Sequence, residues 1–311
     1  MARRTRFSLI LTWVLTTSAL AQAWDYFGHH AVGAVAWEHM SEATRQAAVD
    51  LLLEAPADAD LASLMPPGPW SMEVRRRELF LKASGWADLV RDDLFPDRKA
   101  RYDHPSWHYV NRFWRSTPDG PVALPERGTT GDLVVMLERL RGSLMKRARP
   151  TAERAIDLAW LLHLVGDVHQ PLHSSARVTA LEPEGDRGGN DFLLDDPEAP
   201  NLHLYWDFIF KEARPQNPNE GYFAWVSRVA REIQALHPPD TLRDAITVDD
   251  VEAWSREGAA IAMRVAYPDY LIRGAAPPGR YQDEVFEQAA RQAALAGYRL
   301  ARLLDESFSG M

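Results

Sequence analysis

His163-Leu164-Val165-Gly166-Asp167-Val168-His169-Gln170-Pro171-Leu172-His173 sets four ionisable side chains into an otherwise apolar run. Apolar residues recur at spacings of three and four from Ala155 onward, which predicts a helix through this stretch. His163 and Asp167 are four apart and share one face of it. Pro171 is expected to disturb the helix and let His173 point in a different direction. An imidazole and a carboxylate on one face, with a further imidazole nearby, suit a zinc site.

Working outward, Asn201-Leu-His203-Leu-Tyr-Trp206-Asp207 repeats the pattern, with His203 and Asp207 again four apart. A lone pair of this kind is most often a hydrogen-bonded pair on a helix surface. Two pairs together with His173 point to metal, because core packing asks for no such repetition. Ala83-Ser-Gly-Trp86-Ala-Asp88-Leu-Val-Arg91 adds an acid close to a tryptophan, with Arg91 about one helical turn later. Trp107-His108-Tyr109-Val110-Asn111 adds an imidazole in an aromatic setting. Alone, either fragment reads as a buried polar residue with a satisfied hydrogen bond.

The remaining chain is helical in pattern too. Apolar spacings of three and four cover residues 29–53, 133–144, 222–236, 251–265 and 285–304, and long alternating strand patterns are absent. Pro- and Gly-rich punctuation at 55–69, 116–127, 185–200 and 273–279 looks like helix connections rather than linkers. Length alone gives a prior of about two domains. With no linker and no internal repeat, the expectation is one all-α domain over residues 24–311.

Of the 311 residues, 46% are hydrophobic and 25% charged, a globular balance that excludes fibrous or wholly disordered chains. Net charge is −9, so a broadly basic face is not expected and any grip on phosphate must be local. The lack of cysteine removes disulfides, thiolate metal sites and cysteine nucleophiles. Arg3, Arg4 and Arg6, a 14-residue mostly apolar run from Phe7 to Leu20, and Ala21-Gln22-Ala23 read as a secretory signal peptide over residues 1–23. Such a run is short of the roughly 20 residues that span a bilayer. Cleavage after Ala23 is expected to release a periplasmic or secreted protein with no membrane anchor. It would begin at Trp24 and carry a charge of −12, because three arginines and no acid depart.

The whole set resembles the trinuclear-zinc, single-strand-specific S1/P1 nuclease family of fungi, plants and bacteria, and the leader suits a bacterial member. The resemblance begins at Trp24-Asp-Tyr-Phe-Gly28-His29, runs through ASGWAD, WHYVN, HLVGDVHQPLH, GDRGGN and NLHLYWD, and ends in AGYRLARLL. It implies a mainly helical domain of the zinc-dependent phospholipase C and nuclease type, with three zinc ions in one cleft. Asp88, His108, His163 and Asp167 would hold the first, and His173, His203 and Asp207 the second. The third would take the free α-amine and carbonyl of Trp24, with His29 and a share of Asp167, so signal cleavage would create that site. His30, His39, His104 and His237 receive no metal role, and His169 is a candidate to support a ligand.

The resemblance also implies the chemistry. Water shared by the first and third zincs would lose its proton near neutral pH and become the nucleophile, oriented by Asp88. The second zinc would bind the phosphate and stabilise the departing 3′-oxygen. Arg91 suits the charge on the phosphoryl oxygens, and Asn190 could hydrogen-bond to them. Gly188 and Gly189 let the backbone approach closely, although a plain turn reads the same way. Tyr109 is either a platform for an exposed base or a core residue. Asn111 stands where relatives often carry an acid, and an amide donates as well as accepts, so base preference does not carry over. Substrates would be single-stranded DNA and RNA, cut to 5′-phosphorylated nucleotides, and 3′-nucleotides; no stable protein partner is implied. Three zincs add six positive charges that offset the acidic chain locally.

Two other readings compete. A zinc-dependent phospholipase C shares the fold and the N-terminal ligand, but its second-zinc helix usually ends in Glu where this chain has Asp207, and it lacks the GDVHQPLH wording. A non-catalytic zinc-binding protein would need closed four-ligand sites, whereas three residues at the second zinc leave room for solvent.

Overall fold

Residues 24–309, apart from 147, are described in a computed structural model; the signal-peptide reading, residues 1–23, lies outside the described residues. In chain order the helices are α1 (Tyr26–His39), α2 (Glu42–Leu53), α3 (Met72–Ser84), α4 (Trp86–Leu89), α5 (Pro96–Tyr102), α6 (Leu133–Leu144), α7 (Thr151–His169), α8 (Leu202–Ala213), α9 (Tyr222–Leu236), α10 (Arg243–Ile246), α11 (Val251–Ile261) and α12 (Gly279–Phe308). The expected all-α class holds: the fold is mainly helical.

Local signals explain where the helices begin and stop. Asp25 opens α1 by accepting from the Gly28 N–H at 3.1 Å, and Asn201 opens α8 by accepting from Leu204 N–H at 2.9 Å. The apolar run over 29–53 is not one helix. Met40 and Ser41 are extended, and the Ser41 hydroxyl caps the new helix at Thr44 N–H. α7 stops at His169, and Pro171 begins a 3₁₀ turn, Pro171–Ser174, so His173 does leave the helix direction.

α7 is the central element. Leu158, Leu161, Leu162, Leu164, Val165 and Val168 are all fully buried, and α1, α3, α6 and α12 pack around it. A helix apolar on every side belongs in the middle of a bundle rather than on its surface.

The region 111–130 departs from the expectation of a plain connection. It forms a small sheet of β1 (Asn111–Thr117), β2 (Gly120–Ala123) and β3 (Thr129–Thr130) in the order β2-β1-β3, with β4 (Ala176–Arg177) parallel to β1. Thr117-Pro-Asp-Gly120 is the hairpin turn, and Gly120 takes φ +113° there. Strands this short show too little alternation to be read from sequence.

α1 and α12 approach so closely at Gly297 that a Cβ there would sit 2.5 Å from Val35 Cβ and 3.2 Å from Ala36 N. Gly297→Ala should therefore destabilise the fold by about 1–3 kcal/mol, read as a lower melting midpoint. An unchanged midpoint would show that the two helices separate freely.

Candidate metal centre

The sequence-predicted ligands converge. α7 carries His163 and Asp167 on one face, with His163 Nε2 3.4 Å from Asp167 Oδ2. The 3₁₀ turn Pro105–His108 brings His108 Nδ1 to 3.1 Å from both Asp167 Oδ2 and His163 Nε2. α4 presents Asp88, whose Oδ1 lies 3.9 Å from His163 Nε2. α1 presents His29, with Nε2 3.3 Å from Asp167 Oδ1 and its ring stacked on that of His163 at 3.9 Å. A neighbouring group joins His173 Nε2 to His203 Nε2 at 3.1 Å and His203 Nε2 to Asp207 Oδ2 at 3.6 Å. Ligand atoms fall within 4.8 Å of one another in three triplets: His29, Asp88 and His163; His108, His163 and Asp167; His173, His203 and Asp207. All eight side chains are buried.

Unsatisfied atoms test whether these residues suit a cation. His29 Nε2, Asp88 Oδ2, His108 Nε2, Asp167 Oδ1 and Asp207 Oδ2 are buried without a hydrogen-bond partner. Leaving such groups unpaired costs roughly 1–3 kcal/mol each. Meanwhile the outer nitrogens are engaged: Nδ1 of His163 donates to Ser84 O at 2.9 Å, that of His173 to His108 O at 2.5 Å, and that of His203 to Gly188 O at 2.7 Å. Each bond leaves the Nε2 lone pair of its ring facing the cluster. Gln170 Nε2 donates to Asp207 Oδ1 at 2.7 Å and fixes that carboxylate likewise. Buried imidazole and carboxylate donors with their outer atoms already held fit zinc.

Electrostatics agree with the geometry. Burial drives His163 down to about 3, and drives His29, His108 and His173 well below the usual histidine value. These rings are therefore neutral and ready to coordinate. Burial pushes Asp88 up to about 7 and Asp167 and Asp207 well above the usual carboxylate range, with Asp88 and Asp207 adding repulsion at Asp167. Three carboxylates in this volume call for positive charge beside them.

Above the ligands opens a cleft of about 260 Å³, lined by Arg91, Tyr109, Asn111 and Asn190 as well as His108, His173 and His203. Arg91 Nη1 reaches Asp88 Oδ1 at 3.5 Å. Tyr109 is 36% exposed at the cleft wall rather than in the core. Asn111 Nδ2 donates to Thr130 Oγ1 at 3.1 Å, and Asn190 Nδ2 to Arg187 O at 2.8 Å. Gly188 and Gly189 take φ of +62° and +82°. A Cβ at Gly188 would meet Leu172 O at 2.4 Å, so the close approach this glycine permits is to the chain that carries His173. Trp24 is fully buried; its indole N–H donates to Gly166 O at 3.1 Å and its ring stacks on Phe210. Residue 24 is thereby fixed against the turn of α7 that bears Asp167.

His169 does not support a ligand. It lies about 200° round the helix from Asp167, donating to Val165 O at 2.8 Å and accepting from Arg299 Nη1 at 2.8 Å. Sequence reasoning also passed over Gly166, Gln170 and Ser84. Gly166 is the sharpest omission, since a Cβ there would sit 2.6 Å from His29 Nδ1 and 2.8 Å from its Cε1. A glycine in mid-helix beside the aspartate expected to hold metal was the available signal. Gly166→Ala should push the His29 ring away and remove about one zinc per chain, counted by elemental analysis. Full zinc content in the variant would place His29 outside the metal set.

Comparison with known proteins agrees with this geometry. Residues 24–309 match the S1/P1 Nuclease family. Nuclease S1 of Aspergillus oryzae is 27% identical over 57% of this chain and 63% of its own length, under two thirds of that protein. Endonuclease 3 of Arabidopsis thaliana is 26% identical over 96% of this chain and 95% of its own, and Endonuclease 2 of the same plant is 24% identical over 96% of each. With five of its ten histidines and three of its aspartates gathered beside one cleft, the chain belongs to the S1/P1 nuclease family, zinc-dependent hydrolases of the phosphodiester bonds of nucleic acid.

Proposed function

We propose that the protein is a zinc-dependent phosphodiesterase that cuts single-stranded DNA and RNA to 5′-phosphorylated nucleotides and also dephosphorylates 3′-nucleotides. The observation that carries this reading is the set of buried, unpaired imidazole and carboxylate atoms clustered beside a cleft whose wall includes Arg91 and Asn190. Asp88, His108, His163 and Asp167 would hold one zinc, and His173, His203 and Asp207 a second. The backbone of Trp24, with His29 and Asp167, would hold a third. Bound zinc supplies an acidified water and positive charge for the phosphate.

The chain's own groups do the positioning. Asp88 is braced through Oδ1 by Arg91, which leaves Oδ2 to accept a hydrogen bond from the attacking water and aim it at phosphorus. The Arg91 guanidinium faces the charge that builds on the phosphoryl oxygens. Asn190 spends one amide hydrogen on Arg187 O and keeps the other for a phosphoryl oxygen. The exposed ring of Tyr109 offers a stacking surface to a base turned out of its strand, and Asn111 offers its edge a donor and an acceptor. A cleft of about 260 Å³ suits one unstacked nucleotide better than a duplex. No side chain needs to form a covalent bond to substrate.

Processing belongs to the same reading. Removal of residues 1–23 would free the α-amine of Trp24 as a ligand and deliver the protein to the periplasm or the exterior.

Three outcomes test this. The processed protein should release 5′-phosphorylated products fastest from single strands, and chelator should abolish the reaction; cleavage of phosphatidylcholine without nuclease activity would move the protein to the phospholipase branch. Asp88→Asn should keep the melting behaviour and lose roughly a hundredfold or more in turnover. Retained turnover would remove Asp88 from its role. A form with Met ahead of Trp24 should bind fewer zincs and lose most activity; equal zinc and equal turnover would exclude the terminal amine.

A further inference from the structure

Arg187 lines the catalytic cleft and has no task in the reading above. Its φ is +52°, in the left-handed region that residues with a Cβ avoid, and Gly188 and Gly189 continue in that region. Backbone strain of this kind persists only where the surroundings enforce it, and here they do. Asp186, directly before it, is fully buried and accepts from Tyr267 Oη at 2.6 Å and Arg177 N–H at 2.9 Å. Asn190 holds the Arg187 carbonyl, and the Asp191 carboxylate takes Nε at 3.1 Å and Nη2 at 2.5 Å. The loop foot is fixed, yet the Arg187 side chain remains 72% exposed at the mouth of the cleft. Arg91, by contrast, is only 10% exposed beside Asp88.

Two cations of different exposure line one cleft, and a single strand carries a phosphate at each nucleotide. We propose that Arg187 grips a phosphate adjacent to the scissile one, so that it selects polynucleotides over substrates bearing one phosphate. This rests on the nuclease reading. Asp191 engages one edge of the guanidinium and orients its plane, while Nη1 is not engaged by Asp191. A guanidinium has five donors in a fixed fork, enough for a carboxylate and a phosphate together. In a chain of net charge −9, a cation held in a strained backbone at the substrate's doorway is the local grip on phosphate that overall charge does not supply.

Arg187→Gly tests this, because glycine suits the left-handed backbone and the melting midpoint should hold or rise. Zinc content should be unchanged. On a short single-stranded oligonucleotide KM should rise several-fold, roughly threefold to tenfold at low salt, and the slope of log(kcat/KM) against log salt should shrink by about 0.7. Cleavage of a dinucleoside monophosphate, whose only phosphate is the scissile one, should stay within about twofold. Arg187→Lys should retain the salt slope. Equal loss on both substrates, or an unchanged slope, would overturn the proposal. Loss that follows base identity with the slope intact would make Arg187 a stacking residue and overturn it also. If the zinc-loaded protein itself cleaves neither substrate, the nuclease reading falls and takes this one with it.

Discussion

Three carboxylates and five imidazoles, contributed by α1, α4, α7, α8 and two 3₁₀ turns, share a volume from which solvent is almost excluded. Taking an ionised carboxylate out of water is expensive unless it is paired, and here the buried neighbours are neutral rings rather than cations. Arg91 reaches Asp88 at 3.5 Å, one cation against three carboxylates. The remaining deficit is what dications offset. A family of zinc-dependent enzymes therefore keeps in its core a charge arrangement that no apolar packing would tolerate.

The scaffold meets this constraint by fixing ligands from outside. Three backbone carbonyls, those of Ser84, His108 and Gly188, each take the outer nitrogen of a different histidine. These carbonyls belong to chain segments that themselves carry or border the clustered side chains: Ser84 precedes α4, His108 is one of the eight, and Gly188 lies in the loop with Asn190. Displacing one segment would thus disturb the ring it supports as well as its own side chains. Two glycines complete the arrangement by absence of bulk, Gly166 for the His29 ring and Gly188 for the Leu172 carbonyl. Local rigidity at the centre is built from main chain, which no side-chain rotamer can relax.

Much of this was legible where spacing alone sets direction. His163 with Asp167 and His203 with Asp207 follow from the helical repeat, and Pro171 announces the change of direction at His173. Asp88 and His108 were legible only through resemblance, because nothing local tells a short helix and a 3₁₀ turn to meet α7 at His163. His169 shows the limit of a motif: it lies inside the most distinctive run of the chain, yet the same periodicity that unites His163 and Asp167 turns it toward Arg299. The break at Ser41 was written in the sequence as a serine cap, but the apolar pattern ran across it and masked it. The sheet over 111–130 escaped notice for the opposite reason, having too few residues per strand to establish a period.

The start of the described chain is held by packing before any metal is considered. Trp24 is held by an indole hydrogen bond to Gly166 O and by stacking on Phe210, and the Asp25 N–H reaches Asp207 O at 3.4 Å. Asp25 also caps α1 and pairs with Lys211 at 2.6 Å. These contacts tie residue 24 to α7 and α8, the two helices that carry both His/Asp pairs. Its backbone position is therefore set by core packing and does not wait for a metal. An α-amine brought there already in place would sacrifice little chain entropy on coordination, whereas a free terminus would have to be ordered first. The apolar side chain of Trp24, not its polar backbone, is what fixes residue 24 beside α7 and α8.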